Sequence, residues 1–288
     1  MRTIRAIVFF LSTLTLIGSL AQAQVLIRIT TPPPPLPVYV QPVIPGPDFI
    51  WVPGYWAWGE FGYFWVPGTW VRAPASGLLW TPGYWAWSEG VYVWRAGYWG
   101  PRVGFYGGVN YGFGYTGVGY HGGYWRDRVF VYNTAVTRIG TVGITNVYNK
   151  TVVNSTTVTN VSYNGGPSGL KAQPTAQEQV VSQDKHVPPT ALQTQHHDAA
   201  GKNRTLLASV NKGKPGIAAT AKAGEFSGHG TVAARAVAPA PHQAKLQAGP
   251  AGRKDRRADA TKMAGAPVPK HPNRNPRTPS RHDKKNYP

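Results

Sequence analysis

The sequence contains no cysteine among its 288 residues, and this absence excludes several kinds of chemistry. No disulfide can cross-link the fold, and no thiolate can serve as a nucleophile or a metal ligand. A lipoprotein anchor is not expected either, because its processing needs a cysteine at the cleavage point. If the chain is exported, it folds in an oxidising compartment without covalent cross-links.

Long apolar runs are also scarce, and the one that stands out lies at the N-terminus. Arg2 and Arg5 precede an apolar stretch from Ala6 to Leu20, and Ala21-Gln22-Ala23 follows it. A positive region, an apolar core and an A-x-A site are typical of a cleaved signal peptide. The stretch is shorter than the roughly 20 residues that span a bilayer, so we expect no transmembrane segment in the mature chain. We therefore predict a signal peptide at 1–23 and a periplasmic, outer-membrane-associated or secreted protein.

Acidic residues are few, and the positive charge is unevenly distributed. The chain has 11 Asp and Glu against 30 Lys and Arg, a formal net charge of +19. Residues 24–168 hold eight basic and four acidic residues, a net of +4, whereas residues 169–288 hold 20 and seven, a net of +13. Tryptophan has the opposite bias, since all 11 lie between Trp51 and Trp125. The chain therefore divides into a Trp-rich part and a basic part.

Proline is dense between Thr31 and Pro47, directly after the predicted signal peptide. Such a density favours extended polyproline II, which acts as a semi-rigid spacer. We interpret residues 24–48 as a solvated Pro-rich linker, with a docking motif as the alternative.

An internal repeat of the form W-x-x-G-x-W follows this segment. Residues 51–70 align without gaps with residues 80–99, and most aromatic, Pro and Gly positions recur. This self-similarity indicates a duplicated hairpin. The four copies of the motif lie at residues 51–56, 65–70, 80–85 and 94–99.

The composition of the repeat predicts strands. Aromatic and β-branched residues dominate it, and the internal Pro-Gly would break a helix. Residues 59–62 and 88–90 are typical of hairpin turns. The fold class that we predict is mainly β: a small antiparallel Trp-rich meander of duplicated hairpins, a few short helices and a long disordered basic C-terminal tail. The four predicted strands lie near residues 49–58, 63–72, 78–87 and 91–100.

The spacing within the motif predicts a bulge. Two Trp five residues apart on a regular strand point to opposite faces, and one extra residue at Pro-Gly would place both on one face. Gly would supply unusual backbone angles, and Pro suits a position without a ladder hydrogen bond. In the fourth copy Arg95-Ala96 replaces the residues found elsewhere. The predicted turn or bulge residues are Pro53, Gly54, Pro67, Gly68, Pro82, Gly83 and Gly97.

The same reading predicts an aromatic band in which Trp56, Trp65, Trp85 and Trp94 stack across strands. Each buried ring removes about 150–250 Å² from water, enough to hold together a sheet poor in Leu and Ile. Two roles stay open for these rings: a core, or an exposed face that binds a ligand. The residues concerned are Trp51, Trp56, Trp58, Trp65, Trp70, Trp80, Trp85, Trp87, Trp94 and Trp99.

In these motifs the chain resembles the secreted WxxGxW (YxWGxW) repeat proteins of proteobacteria. The resemblance covers the four copies and continues through residues 109–125, 129–137 and 161–166. That family is generally described as uncharacterised. The resemblance therefore implies an exported repeat protein and no particular activity.

The remaining segments differ in composition. The Gly/Tyr-rich region that ends the unit 49–125 favours loops or loose strands with exposed tyrosine, and the Val/Thr/Asn-rich residues 126–168 favour one or two strands. Residues 169–211 contain short, marginal helices, of which Thr175-Ala-Gln-Glu178 opens the first as a capping box. Residues 212–288 are too poor in apolar side chains to offset their conformational entropy, so we predict a disordered basic tail.

Residues that could carry catalysis are scarce. Glu60 and Glu89 occupy equivalent turn positions and would suit an acid/base pair, but a solvated turn is the usual place for Glu. No G-x-S-x-G, H-E-x-x-H or P-loop pattern occurs. His186, His196 and His197 would bind a metal only weakly, because their spacing matches no common site. We therefore predict no enzyme activity, no dedicated metal site and no cofactor.

The charge distribution indicates the partner. A dense basic segment in an exported protein favours anionic envelope polymers or polysaccharide, with weak nonspecific binding of nucleic acid. We therefore predict a non-enzymatic cell-envelope protein with a structural or interaction role. The alternative is a carbohydrate-binding module that uses an exposed Trp/Tyr face. The residues predicted to bind polyanions are Arg253, Lys254, Arg256, Arg257, Arg274, Arg277, Arg281, Lys284 and Lys285.

Overall fold

The computed structural model of the chain describes residues 28–152 and 160–235. The predicted signal peptide and the basic residues from Arg253 onward lie outside these ranges. The described part is mainly β with few helices, as predicted. Its strands are β1 (Arg28–Ile29), β2 (Phe49–Val52), β3 (Tyr55–Gly59), β4 (Gly62–Val66), β5 (Gly68–Arg72), β6 (Leu79–Thr81), β7 (Tyr84–Ser88), β8 (Val91–Arg95), β9 (Tyr98–Gly100), β10 (Asn110–Gly112), β11 (Tyr115–Thr116), β12 (Gly123–Arg126), β13 (Val129–Asn133), β14 (Val147–Tyr148), β15 (Tyr163–Asn164), β16 (Ala219–Thr220) and β17 (Thr231–Val232).

Each predicted strand of the repeat is two short strands, separated at Pro-Gly in the first three copies of the motif and at Ala96-Gly97 in the fourth. In the first repeat β3 and β4 form a hairpin that places Trp56 opposite Trp65. Outside it, β2 pairs with β5 and places Trp51 opposite Trp70. The second repeat has the same design, with β7 and β8 as the inner hairpin and β6 and β9 as the outer pair.

The predicted one-residue bulge is wrong, because both strands are interrupted by the same number of residues. Between the pairs Val52–Thr69 and Tyr55–Val66 lie two residues on each side, so neither strand carries an extra one. The second repeat is interrupted in the same way between Thr81–Tyr98 and Tyr84–Arg95. Proline has no N–H to donate, and in the first repeat each proline lies opposite a glycine, Pro53 opposite Gly68 and Pro67 opposite Gly54. In the second repeat Ala96 replaces one proline and the interruption is the same.

The two hairpins do not join into one four-stranded sheet. Strand β16 pairs in parallel with β5, and β15 pairs in parallel with β7, so each repeat is extended by a strand from later in the chain. Strands β12 and β13 form a further hairpin across the boundary between the Gly/Tyr-rich and Val/Thr/Asn-rich regions, and part of the latter, 153–159, lies outside the described residues.

The Pro-rich segment is not a solvated linker over the residues that the structure describes. Leu36 and Ile44 are buried in the hydrophobic core. The Trp56 Nε1 donates to the Pro35 carbonyl at 3.0 Å, and the Trp70 Nε1 donates to the Pro42 carbonyl at 3.1 Å. Polyproline II leaves its carbonyls free, and an indole N–H needs an acceptor when it is buried. The segment therefore supplies hydrogen-bond acceptors for buried indole N–H groups and aliphatic side chains for the core of the Trp-rich sheets.

Three tyrosines of the Gly/Tyr-rich region are buried, contrary to the exposed tyrosines predicted there. Tyr106, Tyr111 and Tyr115 all lie in the core. The Tyr111 hydroxyl donates to the carbonyl of Gly83 at 2.6 Å, and that of Tyr115 donates to the carbonyl of Trp80 at 2.9 Å. Tyr111 and Tyr115 thus satisfy carbonyls of the second repeat.

The described helices are α1 (Ala176–Val181), α2 (Ala191–Lys202) and α3 (Ala208–Asn211), with a 3-10 turn at Arg204–Leu206. The predicted capping box of Thr175 and Glu178 opens α1, and Thr190 with Gln193 forms a second one at α2. Among the described residues, no helix is both long and apolar enough to cross a membrane.

The structured part of the chain extends past the predicted start of the tail at residue 212. Ala218, Ala219 and Thr220 are buried, and the Trp65 Nε1 donates to the Ala218 carbonyl at 2.9 Å. These three side chains are small, so the segment approaches strand β5 closely and is held by backbone pairing, with little apolar surface of its own. Residues 212–235 therefore belong to the folded body.

Candidate functional site

Most of the predicted aromatic face is core. Three rings, those of Trp58, Trp87 and Trp94, are only partly buried. The other seven are buried, namely Trp51, Trp56, Trp65, Trp70, Trp80, Trp85 and Trp99.

The band of Trp56, Trp65, Trp85 and Trp94 exists as two separate pairs. Ring centroids lie 5.2 Å apart in the first pair and 5.3 Å apart in the second. Between the repeats, Tyr55 stacks on Trp94 with centroids 5.0 Å apart and planes 17° apart. The Trp85 Nε1 also donates to the Trp56 carbonyl at 2.8 Å. Tyrosine and backbone contacts therefore join the two Trp pairs.

A cavity of about 210 Å³ lies where the Pro-Gly interruptions of the two repeats meet. Pro53 and Pro67 of the first repeat and Pro82 of the second line it. Ala96, at the position of the missing fourth proline, is exposed and also lines it. The strand pairing is interrupted at equivalent positions of the two repeats. Proline rings, and not paired strands, therefore border the cavity there.

Aromatic side chains form further walls of the cavity. Trp80, Trp94, Tyr55 and Tyr111 all line it. Burial raises the pKa of Tyr55, and the charge of Asp198 acts in the same direction. Burial also raises the pKa of Tyr111. Both phenols are therefore neutral at physiological pH.

Helix α2 closes the cavity with two adjacent histidines. The Nδ1 of His196 accepts the Gly224 N–H at 2.8 Å, so its Nε2 must carry the proton that it donates to the Pro67 carbonyl at 2.8 Å. Phe226 stacks on the same ring, with centroids 5.0 Å apart and planes 9° apart. Burial lowers the pKa of His196, which agrees with a neutral ring whose two nitrogens are both in use.

The second histidine pairs with a tyrosine of the repeat. The Nδ1 of His197 lies 3.0 Å from the Tyr55 hydroxyl. Burial lowers the pKa of His197, although Asp198 acts in the opposite direction. Among the described residues that line the cavity, none carries a carboxylate, an ammonium or a guanidinium group. The cavity is thus built for an uncharged occupant.

Gln193 of α2 presents an amide to the cavity. Its Oε1 accepts hydrogen bonds from the Trp99 Nε1 at 2.8 Å and from the Thr190 N–H at 2.9 Å. These donors determine which end of the amide is oxygen. The Nε2 has no hydrogen-bond partner among the described residues, so a donor remains at the wall of the cavity.

The structure does not bring together the residues considered for catalysis or metal binding. Glu60 and Glu89 are exposed at the turns of separate hairpins. His186 stacks on Tyr98, with centroids 3.6 Å apart, and does not line the cavity that contains His196 and His197. Within 28–152 and 160–235, no three His, Asp or Glu side chains are grouped as a metal site would require.

The predicted polyanion-binding residues lie outside the described part, but a shorter basic run precedes them inside it. Lys202, Arg204, Lys212 and Lys214 are all exposed around α3. Among the described residues, the ion pairs are Arg102–Asp184 and Lys222–Glu225, which involve none of these four.

Sequence reasoning missed the cavity residues Tyr55, Gln193 and His197 as a group. Two signals were available: Tyr55 recurs as Tyr84 in the duplicated hairpin, and Thr190 with Gln193 has the spacing of a capping box. Neither signal indicates that α2 packs over the repeats, because the contact joins residues more than 130 positions apart.

Comparison with known proteins finds a family match for the repeat region alone. The WXXGXW repeat model matches residues 46–71 and 76–99, so the chain carries two copies of this repeat. No curated protein and no solved structure matches the chain.

Proposed function

We propose that the protein is a non-enzymatic, exported component of the cell envelope whose basic C-terminal region binds anionic surface polymers. The observation that carries the proposal is the charge of that region. Residues 236–288 contain 12 Lys and Arg against three Asp and Glu, a net of +9. Neutralising such a polymer releases its condensed counterions, which favours binding independent of sequence or fine shape.

Two features of the folded body support a scaffold role for the repeats. Seven of the ten repeat tryptophans are buried, so their surface is already used in holding the sheets together. The exposed cations Lys202, Arg204, Lys212 and Lys214 give the folded body positive charge of its own.

The nature of the basic region favours polymers over specific nucleic-acid recognition. No Trp, Tyr or Phe lies between residues 236 and 286. Proteins that bind single strands tightly interleave aromatic rings with positive charge, so that bases can stack. Anionic polysaccharide, which offers charge without stacking bases, is therefore the better partner. Export of the chain rests on the signal-like residues 1–23.

The test compares two variants that lose equal charge from different places. The first carries Arg253→Gln, Lys254→Gln, Arg256→Gln and Arg257→Gln. The control carries Arg28→Gln, Arg95→Gln, Arg126→Gln and Arg128→Gln, four exposed positions of the body. Retention of the mature protein on immobilised lipopolysaccharide at low salt should fall for the first variant and change little for the control. An equal loss of retention in both variants would show that binding depends on net charge alone and would contradict a specific role for the basic C-terminal region. Unchanged retention in both would refute the proposal.

A glycan-binding aromatic face is the second candidate, and one observation favours a place for it. Trp58 is partly exposed beside the first hairpin turn, where Phe61 is 68% exposed. Its counterpart Trp87 is also only partly buried, but the chain at Gly166 packs against its ring, where an added Cβ would lie 3.2 Å away. Glycan binding that resists salt and is lost in Trp58→Ala, with unfolding unchanged, would support this function instead.

A further inference from the structure

The cavity between the repeats has the size of a small ring system. At about 210 Å³ it is larger than an engineered apolar cavity of roughly 150 Å³ in another protein that binds benzene. It is smaller than the roughly 300–1,000 Å³ of pockets for drug-sized ligands. One substituted ring or two fused rings would fit, whereas a sugar chain would not.

The chemistry of the walls limits the occupant further. Four prolines, two tryptophans and two tyrosines offer flat apolar surfaces, which suit a planar molecule. The described residues at the wall carry no charged group, so an ionised ligand would lose its hydration without compensation. A sugar ring would leave several hydroxyls unpaired for the same reason.

The Gln193 amide offers a polar contact that orients a ligand. The Gln193 Nε2 is a donor without a partner among the described residues, while its Oε1 is held by Trp99 and Thr190. A donor in an apolar pocket selects for a ligand that carries an acceptor, because an unmatched donor is costly to bury.

The departure of the fourth motif from the pattern lies at the exposed rim of the cavity, to which Pro189 and Thr194 also belong. Ala96 stands where the other three copies have proline, and it is the exposed member of the set at the cavity wall. A small side chain there leaves an opening that a larger one would narrow.

We infer that the junction of the two repeats is a binding site for a small, uncharged aromatic molecule that carries a hydrogen-bond acceptor, such as a simple phenol. The proline and tryptophan walls hold the ring, and the Gln193 amide binds its oxygen. The site goes beyond the polymer-binding role proposed above and does not depend on the basic tail.

The first experiment titrates the mature full-length chain with p-cresol by calorimetry. Saturable one-site binding is expected. Toluene, which lacks the acceptor, should bind about tenfold more weakly, the loss expected for one buried hydrogen bond. The anion 4-hydroxybenzoate should not bind. Absence of saturable p-cresol binding, or equal binding of the anion, would overturn the inference.

The second experiment locates the site with paired variants. Ala96→Leu narrows the entrance and should lower p-cresol affinity by about tenfold or more, as expected when a small pocket loses room for its ligand. Ala75→Leu is the matched control, an exposed alanine in the loop between hairpins that does not line the cavity. Equal affinity in the two variants would place the binding elsewhere.

A third pair tests the amide while preserving the fold. Gln193→Glu keeps an acceptor for Trp99 and Thr190 and suits the capping box, but it replaces the free donor with a carboxylate. Glu178→Gln makes the reverse change at the same position of α1, away from the cavity. Loss of p-cresol binding is expected in the first and not in the second, with matching thermal unfolding as the check on folding. Unchanged binding in Gln193→Glu would show that the amide does not hold the ligand.

Discussion

At the scale of single residues, the two tryptophans of each motif have different tasks. The first covers the glycine of the facing motif: a Cβ at Gly68 would lie 2.6 Å from the Trp51 ring, and one at Gly97 would lie 2.5 Å from the Trp80 ring. The second is buried and donates its indole N–H, as Trp70 does to Pro42. The φ angles of the motif glycines are not positive, so close approach, and not backbone freedom, requires glycine there.

We expect Gly68→Ala to destabilise the protein by about 1–3 kcal/mol, the range for overpacking a close-packed core. The added methyl would meet the Trp51 ring, the Tyr39 hydroxyl at 2.9 Å and the Gly54 nitrogen at 3.0 Å. Gly143→Ala is the control, since its Cβ would meet nothing within 4 Å. Urea unfolding of both variants measures the effect, and equal midpoints would contradict the role assigned to the motif glycine.

Stability should fall as the pH drops below the ordinary histidine pKa of 6.5. Burial lowers the pKa of both His196 and His197 in the folded chain. The unfolded chain therefore takes up protons first, so stability is fully present above pH 6.5 and is lost below it. The slope is at most about 1.4 kcal/mol per pH unit for each histidine.

Urea midpoints between pH 8 and pH 5 test this expectation. His196→Gln should flatten the dependence, because it removes one of the two groups. His121→Gln changes an exposed histidine and should leave the dependence as it is. A dependence that both variants share unchanged would mean that other groups cause it.

At the scale of elements, the Pro-rich segment is part of the core assembly. It places Leu36 and Ile44 among buried residues and offers its carbonyls to two indoles of the first repeat. Helix α2 acts similarly, with the His196 ring bonded to Pro67 and the Gln193 amide bonded to Trp99. The Pro-rich segment and helix α2 are thus held in place by hydrogen bonds to groups of the repeats that the interrupted ladders do not pair.

Ile44→Ala should therefore cost about 2–5 kcal/mol of stability, as for other large-to-small changes in a core. Ile44 is fully buried, whereas Val38 in the same segment is 39% exposed. Val38→Ala is the control and should change stability by no more than about 0.5 kcal/mol. A solvated linker would tolerate both substitutions, so equal and small effects on thermal unfolding would contradict the packing.

The elements of the repeat could be predicted from the sequence, but their arrangement could not. Duplication of residues 51–70 and the turns at 59–62 and 88–90 indicate hairpins directly. The sequence of the strand that bears Trp51 suggests an extra residue at Pro53-Gly54. That no bulge forms depends on the facing strand, where Pro67-Gly68 interrupts the ladder by the same two residues. Burial of Ile44, and the contact between Tyr55 and His197, depend on long-range packing that no local pattern of the sequence records.

At the scale of the whole molecule, a body rich in Trp and a segment rich in positive charge lie on one chain. Most aromatic side chains of the body are buried in its core, and a cavity without charged groups among its described lining residues lies between the repeats. Positive charge is densest beyond it, where the 53 residues after position 235 carry a net charge of +9. We propose that the two parts act separately, the body as a scaffold with a small-molecule site and the basic region as the contact to anionic polymers.

The salt dependence of binding by the mature protein to an anionic envelope polysaccharide tests this account most directly. The logarithm of the binding constant should fall linearly with the logarithm of salt concentration between about 50 and 200 mM, because each contact releases a counterion. The variant with Arg253, Lys254, Arg256 and Arg257 changed to Gln should show a shallower slope. Binding that ignores salt and is equal in this variant would contradict the account and assign the polymer to the aromatic body.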